Sequence, residues 1–141
     1  MAITVTARVT ITNRTREPVA DAILQGDLAS AHNDAPLGTQ LAASGVVLPR
    51  LEMLGTLEPG ERREVQVTVR QVLAEIRAID QGRARVFVPL LRLRLESAGA
   101  KPVASTVLVG HPPERAGGKP TPFLAEAPPQ NYNQVVGRAL G

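Results

Sequence analysis

The stretch "ITVTARVTIT" (residues 3–12) alternates apolar and polar side chains without a break. Its odd positions are all apolar, from Ile3 to Ile11, and its even positions are threonines and Arg8. A period of two residues with many β-branched side chains is typical of a β-strand that has one buried side. The stretch therefore predicts a strand whose apolar side faces a core.

A second one-sided strand follows the stretch "LGTLEPGERREVQVTV" (residues 54–69), in which Val65, Val67 and Val69 alternate with polar residues. The segment Glu58-Pro59-Gly60-Glu61 precedes it. Proline suits the second position of a type II turn, and glycine supplies the positive φ that the third position requires. We predict a structural corner rather than an anion-binding loop, because the flanking glutamates would repel an anion.

The rest of the chain carries weaker signals. Pro49 cannot donate to a central ladder, so the apolar stretch around it suits an edge strand. The predicted elements are a hairpin that pairs 3–12 with 19–29, a loop with a helical turn over 30–45, an edge strand over 46–54, a short helix or single turn over 71–80, and strands over 83–96 and 103–110.

These elements predict an all-β fold. About five to seven strands with only short helical turns favour an antiparallel β-sandwich, because no long amphipathic helix is present to cover the valine-rich faces. We expect the sandwich over residues 1–110. Residues 111–141 form a Pro/Gly-rich, irregular C-terminal appendage that ends in a short amphipathic helix over 131–140, and we expect it to pack on the sandwich.

Composition excludes several classes of function. The 141 residues suffice for one domain, and the absence of cysteine excludes disulfides, thiolate nucleophiles and cysteine metal sites. The net charge of +3 arises from interspersed acids and bases, so it does not by itself indicate nucleic acid. No apolar run approaches the roughly 20 residues of a membrane span, and no secretory signal is visible.

The stretches "VTARVTITNRTREPVADAIL" (5–24) and "LGTLEPGERREVQVTV" (54–69) resemble a strand pair and an L-x-P-G-E corner of bacterial immunoglobulin-like domains. The domains concerned are adhesion-related and surface-repeat modules. The resemblance implies an immunoglobulin-like sandwich, a role in binding or structure, and a place in the cell envelope or outside the cytoplasm.

The stretches "RVFVPLLRLRL" (85–95), "VLVGHPP" (107–113) and "KPTPFLAEAPPQNYNQV" (119–135) resemble the closing part of a small uncharacterised bacterial family. This resemblance implies that the C-terminal segment belongs to the domain. It implies no activity.

Catalytic and metal-binding patterns are weak. The two histidines, His32 and His111, have Ser30, Asp34 and Glu114 nearby in sequence, but no nucleophile elbow accompanies them. The spacing around His32 matches no calcium or zinc loop. We therefore expect a non-enzymatic protein without a metal or cofactor.

Two sets of residues are candidates for binding. Large apolar residues of the C-terminal segment either close the sandwich or dock on a partner protein or neighbouring domain; they are Phe123, Leu124, Tyr132, Val135, Val136 and Leu140. Arg8, Arg92 and Arg94 lie on predicted strand faces and could contact an anionic polymer. Arginine stems also cover apolar surface and pair with acids across strands.

The leading function is therefore a structural or protein-interaction domain. Binding of a nucleic acid or polysaccharide through the arginines is the alternative. The lack of exposed aromatic pairs argues against nucleic acid, because single-stranded nucleic acids stack on such pairs. The partner and the oligomeric state are left open by the sequence.

Overall fold

The computed structural model describes residues 2–32, 36–42, 46–72, 79–81, 84–110, 120, 123–124 and 136–139. These residues form strands and one short 3-10 helix, Leu37–Gln40, and no α-helix occurs among them. The strands are β1 (Ala2–Thr12), β2 (Val19–Ser30), β3 (Arg50–Leu57), β4 (Arg62–Val72), β5 (Ile79–Gln81), β6 (Ala84–Phe87), β7 (Pro89–Glu96), β8 (Val103–Gly110), β9 (Phe123–Leu124) and β10 (Val136–Ala139).

The strands form three antiparallel sheets. β1 and β4 form a two-stranded sheet, and a five-stranded sheet has the order β10-β8-β7-β2-β3. A small sheet has the order β5-β6-β9. The all-β, antiparallel prediction is confirmed.

One apolar cluster joins the β1–β4 sheet to the five-stranded sheet. The inward side of β4, with Val67 and Val69, belongs to the same buried cluster as Leu24 of β2 and Leu91 and Leu93 of β7. The apolar side of β1 packs against this cluster. The protein thus has a sandwich-like core of mainly aliphatic side chains, as the alternating stretches predict, and Phe123 is also part of it.

The corner between β3 and β4 has the predicted geometry. Gly60 adopts φ +76°, and the Glu61 N–H donates to the Glu58 carbonyl over 2.9 Å, which closes the turn. The Glu58 N–H in turn donates to the Glu61 carboxylate, and Arg63 also donates to that carboxylate. These contacts lower the pKa of Glu61, chiefly through the backbone N–H of Glu58.

The predicted hairpin between the first two strands is wrong. β1 pairs with β4, whereas β2 pairs with β3 and β7. The chain between β1 and β2 passes from one sheet to the other, and Asn13 secures this passage. The Asn13 backbone N–H donates to Glu61, and its side-chain amide donates to the carbonyls of Glu17 and Leu57.

The single strand predicted over 83–96 is divided in the structure. β6 belongs to the small sheet and β7 to the five-stranded sheet, with Val88 between them. Pro89, which is buried, begins β7 and cannot donate a hydrogen bond at that position. The backbone N–H of Ala31, just beyond the end of β2, donates to the Val88 carbonyl.

Both predicted helices need correction where the structure describes them. The ends of the segment 71–80 belong to β4 and β5, and residues 73–78 lie outside the described residues. Val136–Ala139 forms strand β10, because the edge of β8 offers backbone partners from Val107 to Gly110. The remaining positions of 131–140 lie outside the described residues. The helical turn predicted within 30–45 is confirmed at Leu37–Gln40.

Candidate functional site

Arg92 and Arg94 lie on the side of the five-stranded sheet that faces away from the apolar cluster. Their side chains are only 15% and 12% exposed. Arg92 donates from Nε to Asp27 Oδ1 over 2.7 Å and also contacts the Gln40 carbonyl. Arg94 donates to Gln25 Oε1 and forms an ion pair with Glu96 over 3.7 Å.

The backbone at Gln40, Ala42 and Val46 lies across these arginines. Arg94 donates to the carbonyls of Ala42 and Val46, and the Ala42 N–H donates to the Thr106 hydroxyl over 2.8 Å. Ala42 and Leu48 are buried there. Both guanidinium groups therefore hold the backbone at Gln40, Ala42 and Val46 on the sheet, so their role within the chain is structural.

Arg8 lies in a different environment. It projects from the outer side of the β1–β4 sheet, is 79% exposed, and approaches Glu64 at 3.7 Å. The register of β1 and β4 places Arg62 opposite Thr12 and Arg70 opposite Thr4, on the same side as Arg8. The structure thus separates Arg8 from Arg92 and Arg94, and brings it into line with two other exposed arginines.

Phe123 of the predicted apolar set belongs to the core. It is 5% exposed and stacks on Phe87, with 5.4 Å between the ring centroids. Leu124 lies in β9 opposite Val86, and Val136 lies in β10 opposite Gly110. The other three members of that set lie outside the described residues; they are Tyr132, Val135 and Leu140.

The histidine region shows hydrogen bonds of a structural kind. The His32 N–H and carbonyl form a reciprocal pair with the Gln40 side chain, over 3.0 and 2.9 Å. Ser30 donates to Gln71 over 3.0 Å. His111, Asp34 and Glu114 lie outside the described residues. Within the described ranges, no three His, Asp or Glu residues are grouped so that they could hold a metal ion.

No helix in the part of the chain that the structure describes is long and apolar enough to cross a bilayer.

The free edges of the sheets are a further kind of site, because an unpaired strand edge can accept a strand from another chain. The edge strand predicted over 46–54 corresponds to β3, which begins at Arg50 and, among the described strands, pairs with β2 alone. This edge is modified, however. Its register with β2 shifts at three places, and the Leu54 and Leu57 carbonyls accept from the side chains of Arg63 and Asn13. Bulges and capped carbonyls hinder the addition of another strand.

The other described edges are also protected, with one exception. β4 turns the charged Arg63 toward its inner side. The other edge strands are short: β10 has four residues, and the edge strands of the small sheet, β5 and β9, have three and two. Inward charges and short strands both discourage edge pairing.

The exception is β1. It runs for 11 residues in unbroken register with β4, it contains no proline, and its inward side carries no charge. Among the described strands, only β4 pairs with it. Its inward side chains from Ile3 to Val9 are partly exposed, whereas Val67 and Val69 of β4 are buried. β1 therefore lies at the rim of the sandwich, with an apolar flank that the described residues cover only in part.

Sequence reasoning found the β3 edge but missed the β1 edge. The usable signal was the uniform alternation of residues 3–12, which lacks the prolines, bulge-forming glycines and inward charges that natural edge strands carry. Asn13 was also missed as the residue that secures the chain between the sheets, because its partners Leu57 and Glu61 are distant in sequence.

Comparison of the chain with models of known protein families, with curated proteins and with solved structures gave no match.

Proposed function

We propose that the chain is a non-enzymatic protein-interaction domain with an immunoglobulin-like sandwich, and that it binds a partner by strand addition along β1. The observation that carries the proposal is that β1, a long and regular strand, has β4 as its single partner among the described strands, whereas the edges of β3 and β4 are protected. The resemblance of residues 5–24 and 54–69 to bacterial surface modules supports the immunoglobulin-like assignment.

The partly exposed flank of β1 supports the same proposal. A strand added beside β1 would continue the two-stranded sheet and place its own inward side chains against Val5, Ala7 and Val9. Main-chain hydrogen bonds would provide affinity, and the alternation of side chains would provide selectivity. The inward side chains of the added strand would also bury apolar area against β1, and such burial contributes about 25 cal/mol of stabilisation per Å².

The chemistry of β1 defines the partner segment. Its inward positions should be apolar and β-branched, since they extend a valine-rich side. Its outward positions should be polar and uncharged or acidic, because Arg8 and Arg70 occupy the outer side of this sheet. Such a segment is an extended peptide of about ten residues, the length that an 11-residue strand accommodates.

The experiment uses an 11-residue peptide that alternates valine and threonine, matched to the length of β1. We expect backbone amide NMR shifts in the isotopically labelled protein to concentrate in β1. Val5→Lys adds an inward charge to this edge and should abolish the shifts. Met53→Lys, at an exposed position of β3, is the matched control and should leave them unchanged. Shifts centred on β3, or no shifts at millimolar peptide, would contradict the proposal.

A second candidate function rests on the outer side of the β1–β4 sheet. Arg62, Arg8 and Arg70 share this exposed side with one acidic residue, Glu64. We propose that this side can bind an anionic polymer, and up to three phosphate or sulfate contacts would give it a salt-dependent affinity. Retention on heparin should fall in Arg8→Gln/Arg70→Gln. The control pair removes two charges from the exposed turn instead, Arg14→Gln/Arg16→Gln, and equal losses in both pairs would indicate net charge alone.

A further inference from the structure

We propose that the strand which pairs with β1 is β1 of a second copy of this chain, so that the protein forms a twofold symmetric dimer. This inference rests on the proposed function, since it names the occupant of the β1 edge. It adds the register of pairing, the symmetry and the size of the assembly.

The sequence of β1 is complementary to itself in the antiparallel direction. When Ala7 lies opposite its own copy, all of β1 overlaps, and inward residues face inward residues: Ile3 faces Ile11, and Val5 faces Val9. On the outer side, Thr4 faces Thr10 and Thr6 faces Arg8. Pairs of β-branched residues at directly opposite positions stabilise antiparallel sheets.

Other registers are less favourable. A twofold axis between two residues would set apolar inward positions against polar outward ones, because side chains alternate with a period of two. An axis at Arg8 would place the two guanidinium groups directly opposite each other. An axis at Thr6 avoids this repulsion but shortens the overlap at both ends. The axis at Ala7 alone combines full overlap with the absence of opposed like charges.

The protected edges limit the assembly to two copies. Pairing of the β1 strands gives a continuous four-stranded sheet, in the order β4-β1-β1-β4, and occupies the one edge in each copy that is unprotected among the described strands. The outer edges of this sheet are then the β4 strands, whose inward Arg63 is held by Glu61 and Leu54 of the same chain. An isologous contact of this kind closes on itself and does not propagate.

The experiment measures self-association of the full chain by sedimentation velocity over a range of concentrations. Thr6→Lys places a second positive charge opposite each Arg8 and should weaken dimerisation about tenfold, since symmetry creates two repulsive pairs. Thr6→Glu replaces the same hydroxyl but creates two attractive pairs, and should strengthen dimerisation by a similar factor. Both variants lose the Thr6–Thr68 contact within the chain, so each controls for the other.

Cysteine cross-linking tests the register directly, because the chain contains no cysteine. In this register Ala7→Cys faces its own copy at about 5 Å between Cα atoms, which suits a disulfide. Thr4→Cys faces Thr10 of the other copy, so it should cross-link only when mixed with Thr10→Cys. Cross-linking of Thr4→Cys alone, or association that ignores both Thr6 variants, would overturn the inference.

The inference and the proposed function can fail separately. A chain that is monomeric at every concentration, yet binds the valine–threonine peptide along β1, overturns the dimer and leaves strand addition intact. A monomeric chain that binds no peptide overturns both. Open-ended fibres in place of dimers would overturn the inference, because they require an edge other than β1.

Discussion

The ion pair between Arg92 and Asp27 provides a direct test of whether this arginine is structural. Two hydrogen bonds join the groups, one of them Arg92 Nε to Asp27 Oδ1 at 2.7 Å, and the side chains are 15% and 25% exposed. Removing one partner of a fully buried pair costs about 3–5 kcal/mol, because a charge is left uncompensated. Partial exposure reduces this penalty, so we expect about 3 kcal/mol for Arg92→Met and for Asp27→Ala.

A double-mutant cycle isolates the interaction. The free energy of unfolding of the two single variants, the double variant and the native chain is measured by urea denaturation monitored by circular dichroism. Because each single variant strands the other charge, the double variant should be more stable than additivity predicts, by about 2 kcal/mol. The m-values should remain constant if all four proteins unfold in two states.

The matched control is the exposed pair of Arg8 and Glu64, which lies at 3.7 Å on the outer side of the β1–β4 sheet. The cycle of Arg8→Met and Glu64→Ala should give a coupling below about 0.5 kcal/mol, as exposed pairs do. A coupling below about 0.5 kcal/mol for the Arg92 pair as well would refute the structural reading of Arg92. A loss of heparin binding in a fully stable Arg92→Met protein would refute it independently.

Three further predictions follow from individual contacts. Asn13→Ala removes the side-chain donor to the Leu57 carbonyl and one of two donors to the Glu17 carbonyl, which also accepts from the Thr15 hydroxyl, and should lower the free energy of unfolding by about 2–3 kcal/mol. A loss below about 0.5 kcal/mol in denaturant titration would show that Asn13 does not secure the chain between the sheets. Gly26→Ala would place a Cβ 2.7 Å from the Arg92 carbonyl oxygen, and this clash should lower the thermal midpoint of unfolding. Gly99 has open space for a Cβ, but its φ is positive, so Gly99→Ala would be strained for a different reason. The lowered pKa of Glu61 stabilises the folded chain above the ordinary value of 4.5, and this stability is lost as the pH falls through the folded pKa, so native stability should decrease more steeply on acidification than that of Glu61→Gln; parallel pH profiles would contradict the assignment.

The local features of the fold were accessible from the sequence. The alternation in residues 3–12 and 65–69 predicted one-sided strands, Gly60 predicted the positive φ of the corner, and the strand over 103–110 has the predicted bounds. Pro49 correctly indicated an edge strand nearby. Each of these signals depends on a few consecutive residues, and steric preferences act at that range.

The candidate site was accessible only in part. The sequence predicted that an open strand edge could accept a partner, but it favoured β3 over β1. Arg63, which caps the Leu54 carbonyl, lies in the same stretch as Leu54, but Asn13, which caps the Leu57 carbonyl, is 44 residues away from Leu57 in sequence. No short window of sequence contains such an arrangement.

The sequence by itself determined which segments are extended and which of their sides are apolar, because a period of two residues is a local property of the chain. Only the tertiary structure decided that β1 pairs with β4, that Arg92 and Arg94 lie beneath the backbone at Gln40 and Ala42, and that Val136–Ala139 extends β8 as a strand. The physical reason is that any alternating strand can pair with several others at similar cost in local conformation. The choice among them depends on which arrangement buries the most apolar area and satisfies the most hydrogen bonds over the whole chain.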